Sequence, residues 1–255
     1  KSVRLETFYM PGSKLIPTKI PFRGYFTPSK GHPHEMVGLW TIMSFTKWSF
    51  LLLGTSFLLS GLIPWMVILN NNDNNPTATV PPPPPQWMMR AALLTFEAAG
   101  PMTLLVSSVV RYALWPMALK KKSDTGPLKC TRAMFEHNGN AIMALTEVGV
   151  LGGLPVRLQH FSVAPLFGIL YVLVSWTMAN HWATRDKGPQ FIYFFFDTTM
   201  GWTTTISLLT LLLILSTFYG LFWIASHYIS QAFGGIAVNG LAITILASLV
   251  CRVRD

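Results

Sequence analysis

His137, Asn140 and Glu147 lie in a stretch otherwise apolar enough to enter a membrane, Thr131–His160, TRAMFEHNGNAIMALTEVGVLGGLPVRLQH. At about 100° per residue they fall at about 0°, 300° and 280°, on one side of a single helix. An imidazole takes up or releases a proton near neutral pH, a carboxamide both donates and accepts hydrogen bonds, and a carboxylate carries charge. An unpaired group of this kind costs about 2–4 kcal/mol at the bilayer centre, so the stripe must face protein, water or a ligand. Helix-to-helix hydrogen bonding and an active or binding site account for it equally well. Ile142 and Leu145 fall on the opposite side, toward lipid or a neighbouring helix.

Lys47 and Glu97 are the other chemistry-bearing groups set inside apolar runs. Counted from opposite ends of their runs, each lies about ten residues, or about 15 Å, into the membrane. Opposite charges at equal depth predict an intramembrane ion pair, because neither is tolerated there alone. Glu147, about 21 Å from the inner face on the same scale, is expected to meet Arg90 or Arg157. His32-Pro33-His34-Glu35 offers metal-ligand types at close spacing, but a proline-punctuated polar segment favours a solvated loop. No metal site and no cofactor is assigned.

Those groups need elements to hold them, and composition says which kind. The 255 residues are 51% hydrophobic and only 11% charged, against about 25% charged in soluble domains. Mean hydropathy is +0.43, and the apolar residues come in runs of about 20, the length that crosses a bilayer. An all-α integral membrane protein follows. The net charge of +9 is not a nucleic-acid footprint, because the basic residues sit in the loops between apolar runs, where topology explains them. Two cysteines, Cys130 and Cys251, cannot build a disulfide framework and are expected to be reduced. No N-glycosylation sequon occurs.

In chain order, residues 1–36 form a basic arm in which Pro11, Pro17, Pro21, Pro28 and Pro33 forbid a long helix. Residues 37–251 form the transmembrane domain, with spans expected at 37–62, 87–114, 133–152, 163–182, 202–229 and 233–250. Between the first two spans, 70–86 is an Asn- and Pro-rich outer loop whose five consecutive prolines favour polyproline II. The aromatic segment Pro189–Gly201, too short to span, is expected at the membrane interface. Six spans with both termini inside put 16 of 19 Lys and Arg on the inner side, counting Arg111 at the inner end of the second span, and leave Arg157 outside and Lys47 and Arg90 deeper within spans. That satisfies the positive-inside rule, whereas five spans would strand Arg252 and Arg254 outside. The expected fold is therefore a six-transmembrane-helix bundle with both termini on the inner side.

Several motifs recur in a known order. Trp40-Thr-Ile-Met-Ser-Phe-Thr-Lys-Trp48 heads the first span, and His137-Asn-Gly-Asn140 opens the third. Ser175-Trp-Thr-Met-Ala-Asn-His181 closes the fourth, and Phe191-Ile-Tyr-Phe-Phe-Phe-Asp197 follows. In this order, over Val37 to Ile229, the chain resembles the androgen-induced protein family, multi-pass membrane proteins related to the rolling-stone proteins. The resemblance implies an intramembrane hydrolase of fatty acid esters of hydroxy fatty acids, with a nucleophilic threonine in the first span and a histidine in the third. Carried over, the nucleophile falls on Thr46 or Ser44. The family's third span has two histidines three residues apart, of which the second is catalytic. Here His137 matches the first, and Asn140 stands where the second should be. A carboxamide cannot serve as a general base near neutral pH.

Two functions remain in view. The first is a non-catalytic scaffold or lipid-binding accessory subunit of a larger membrane assembly, its arm and polyproline loop suited to wrapping over neighbours. The second is a threonine- or serine-dependent hydrolase of lipid esters using Thr46, Ser44 and His137. In either case the polar intramembrane or lipid site is expected at Asn140, Glu147, Lys47 and Glu97. Membrane lipids and protein partners are expected, nucleic acid is not. The mitochondrial inner membrane fits the basic inner side and the missing sequons, and the endoplasmic reticulum is the alternative implied by the resemblance.

Overall fold

Long runs of Leu, Ile, Phe and Trp without charge leave the backbone one way to satisfy its own N–H and C=O groups in lipid, which is the helix. A computed structural model of the chain describes residues 3–4, 35–36, 42–71, 83–120, 126–152, 154–182, 193–232 and 235–252. Apart from a two-residue antiparallel bridge, β1 (Val3–Arg4) on β2 (Glu35–Met36), every described element is helical. The rest of the 1–36 arm, most of the 70–86 loop, and His32 and His34 of the candidate metal cluster lie outside the described residues.

The helices are α1 (Phe45–Asn71) and α2 (Gln86–Val109), the latter continued by a π-helical turn, Val110–Leu114, into Trp115–Lys120. Four consecutive segments, Thr131–Met134, Phe135–Gly139, Asn140–Thr146 and Glu147–Leu151, follow as one helix, α3, whose second and fourth segments are π-helical. Then come α4 (Val163–Trp182), α5 (Trp202–Ala232) and α6 (Ile236–Val250). Gly152 ends α3 in the left-handed region, φ 66°, and its N–H donates to the Glu147 carbonyl at 2.7 Å, the usual reason for glycine at a helix C-terminus.

Four of these helices are long and apolar enough to cross a membrane: Phe45–Leu69, Gln86–Lys120, Leu158–Ala179 and Trp202–Ile229. The 15 residues of α6 reach only about 22 Å, short of a hydrocarbon core of about 30 Å. In α3 polar residues dilute the apolar run. The second helix is the axis of the bundle. Of its most apolar stretch 72% is buried, against 11% in α1 and 17% in α4 and α5, and every other long helix packs on it. Small residues explain the position. Ala98, Ala99 and Gly100 are buried and let neighbouring backbones come close, the rule for helices that meet in lipid.

Neither Cys130, exposed, nor Cys251, buried, forms a disulfide. The Cys251 thiol lies against the Asn138 carbonyl at 3.6 Å, and burial pushes its pKa up to about 11, so little thiolate forms at neutral pH. Maleimide is expected to label Cys130 in folded protein and Cys251 only after unfolding. Equal labelling rates for the two would contradict the packing of α6 on α3.

Candidate functional site

The polar stripe of α3 is buried: His137 is 7% exposed, Asn140 0% and Glu147 7%. Leu145, on its other side, is buried too, while Ile142 is exposed. A π-helical turn at Phe135–Gly139 widens the helix where the polar residues cluster, a feature frequent at functional sites. Successive side chains there take separate partners. Glu136 pairs with Lys47 of α1 at 3.1 Å and with Arg132 at 2.8 Å. Asn138 donates to the Arg252 carbonyl at 2.8 Å and accepts the Arg252 N–H at 3.2 Å, fastening the end of α6 to α3. Arg252 stacks on Trp115 at 3.9 Å, and Arg111 donates to the Cys251 carbonyl at 2.7 Å and to that of Ser248.

The expected Lys47–Glu97 pair does not form. The helix begins at Phe45 rather than near residue 37, which puts Lys47 in its first turn at the bundle's end instead of mid-membrane. At 21% exposure Lys47 and Glu136 are a half-solvated pair. Glu97, midway along α2 and 0% exposed, takes its partners from the connection between α3 and α4. Its Oε1 accepts the Arg157 N–H at 2.6 Å, and its Oε2 lies 2.5 Å from His160 Nδ1. Tyr219 of α5 donates to the Arg157 carbonyl at 2.8 Å, so α2, the connection and α5 are held at one point. Arg157 therefore meets Glu97 through its backbone N–H, a contact not expected from the sequence.

Of the two candidate hydroxyls, Ser44 is the N-cap of α1. Its Oγ accepts the Lys47 N–H at 3.4 Å, the role serine favours before a first helical turn. Thr46 is buried and lines a cavity of about 420 Å³ together with His137. The rest of the wall is aliphatic and aromatic, drawn from α1, α2, α4, α5 and the turn Phe194–Phe196. That turn belongs to the aromatic segment expected at the interface. Phe196 packs on Tyr171 of α4 at 5.7 Å, and Tyr193 on Phe196 at 5.5 Å, so its described part is a wall of the cavity. Burial pushes the Tyr193 phenol up to about 12, and its oxygen accepts the Phe45 N–H at 3.2 Å. Val109, Ile169, Leu173 and Leu209 line the cavity and are themselves exposed, so it opens toward the lipid-facing surface.

Within this site the hydrolase geometry is incomplete. His137 Nδ1 is buried and bonds nothing among the described residues, and no hydrogen bond joins it to Thr46. The hydroxyl facing Asn140 is Ser49, which accepts from Asn140 Nδ2 at 2.9 Å with both residues fully buried. Ser49 escaped the sequence reading. Its signal was the spacing of Thr46, Ser49, Leu53 and Ser56, four buried residues at helical intervals on α1. No group of three metal-ligating side chains occurs among the described residues.

Fold and site define a class: a polytopic helical membrane protein with an apolar cavity between its helices and one polar end. Beyond that class, no protein-family model, no curated protein and no solved structure matches the chain.

Proposed function

We propose that this protein holds a lipid acyl chain in the cavity between α1, α2, α4 and α5, as a non-catalytic accessory subunit of a larger membrane assembly. One observation carries the reading: an opening of about 420 Å³ with almost wholly apolar walls, in the size range of sites that enclose a drug-sized molecule. Two further features belong to the proposal. The helices α3 and α6 complete a six-span bundle, the short α6 met by local thinning of the bilayer and the polar α3 shielded by its neighbours, with both termini on the basic inner side. The assembly resides in the mitochondrial inner membrane, which suits the inner-side charge and the lack of sequons.

A second reading is hydrolysis of lipid esters, as the likeness to the androgen-induced protein family implies. It is favoured by Thr46 and His137 lining the same cavity. Against it stand the carboxamide of Asn140 in the base position and the missing hydroxyl–imidazole bond, which must reach about 2.6–3.2 Å for proton transfer.

Lipid extraction from protein purified in mild detergent tests the first reading. One tightly held lipid per chain is expected. Its loss is expected in Gly168→Phe, because a Cβ at Gly168 would already stand 3.0 Å from Leu215 in the wall, and in Val109→Trp at the rim. Equal lipid content in wild type and both variants would overturn the reading. Ester hydrolysis abolished by Thr46→Ala but not by Ser44→Ala would replace it with the second.

A further inference from the structure

The cavity's polar end is specific about what it can accept. Five lining side chains carry a nitrogen or oxygen: Thr46, His137, Tyr171, Trp176 and Tyr193. Three of them are already engaged by the backbone. Tyr171 donates to the Met43 carbonyl at 2.7 Å, Trp176 to the Phe196 carbonyl at 2.9 Å, and Tyr193 accepts from the Phe45 N–H at 3.2 Å. What remains is the Thr46 hydroxyl and the imidazole of His137, a side chain more than nine-tenths buried whose Nδ1 has no hydrogen-bond partner among the described residues.

Among the described residues, no charged side chain lines the cavity. The nearest charges in sequence, Lys47 and Glu136, satisfy each other at 3.1 Å. A phosphate or ionised carboxylate brought here would lose its water and gain no cation, a cost that exceeds what one hydroxyl and one imidazole return. An uncharged oxygen is matched on both sides, because a threonine hydroxyl and an imidazole can each donate or accept. The volume of about 420 Å³ suits one chain rather than the two of a phospholipid.

We infer that the ligand is a single-chain lipid whose head is an uncharged hydroxyl or carbonyl oxygen, held between Thr46 and His137. The inference rests on the lipid-holding reading above.

Binding of radiolabelled hexadecanol to the full chain in nanodiscs tests it, with four unlabelled competitors. Hexadecanol and methyl palmitate separate a hydroxyl source from a carbonyl source, and whichever competes better names the head. Palmitate at alkaline pH and lysophosphatidate are expected to compete about tenfold less well or worse. In a direct assay, His137→Leu and Thr46→Val are each expected to weaken hexadecanol about fivefold, the worth of one hydrogen bond, while leaving hexadecane binding unchanged. Hexadecane binding also reports that each variant is folded. Charged competitors that match hexadecanol, or variants that weaken the alkane and the alcohol equally, would overturn the head-group inference alone. Failure of wild type to bind even hexadecane would overturn the lipid-holding reading with it.

Discussion

Replacing Glu97 with alanine is expected to remove about 3 kcal/mol of stability, read from unfolding of the purified protein in mixed micelles. The carboxylate is 0% exposed and answers two donors at once, the Arg157 N–H at 2.6 Å and His160 Nδ1 at 2.5 Å. Alanine strands a part-buried backbone N–H, removes the imidazole's partner and leaves a void in the centre of α2. The histidine is 29% exposed, so water relieves part of its loss, and His160→Asn is expected to cost less than Glu97→Ala. Hydrogen exchange at Arg157 should rise in the same variant, because that amide loses its acceptor. A Glu97→Ala loss under about 1 kcal/mol, the scale of a surface ion pair, would show that the bond to the α3–α4 connection contributes nothing beyond solvated charge.

Gly100→Ala is the second large effect, and here two terms oppose each other. Alanine in a helix interior gains about 1 kcal/mol over glycine. A Cβ at residue 100, however, would stand 2.1 Å from Phe222 Cε1 and 2.5 Å from Cζ. Phe222 is itself 0% exposed and packs on Phe96 with ring centroids 5.8 Å apart, so the ring has nowhere to swing. Overpacking of this kind costs about 1–3 kcal/mol and sometimes more. The clash wins, and a net loss of about 2 kcal/mol is expected, with partial recovery when Phe222→Leu is combined with Gly100→Ala. A neutral or stabilised Gly100→Ala would mean that α2 and α5 are not packed this closely.

The candidate site shows how far residue patterns reach. The buried side of α3 follows from His137, Asn140 and Glu147 sharing one helical face. Their partners do not, because a partner depends on where the facing helix starts. Beginning α1 at Phe45 rather than near residue 37 moves Lys47 by more than two turns, from a mid-membrane position to the reach of Glu136. The same start makes Ser44 a cap. An aromatic run such as Tyr193–Phe196 reads as interfacial in sequence, and only its fold back onto Tyr171 and Phe45 makes it a cavity wall.

By itself, the sequence determined the class of the protein. Length and hydropathy of the apolar runs are local sums, and they require helices that enter a membrane whatever their arrangement. Helical periodicity is equally local, so it sufficed to mark the side of α3 that must be buried. Tertiary structure alone decided that α2 stands at the centre, that Glu97 answers Arg157 and His160, and that Thr46 and His137 meet one cavity. Those outcomes rest on helix starts, on the path of the connection after Gly152 and on close approach at Gly100. Each is a relation between distant segments, and an intramembrane polar group takes whichever partner that geometry brings within about 3 Å.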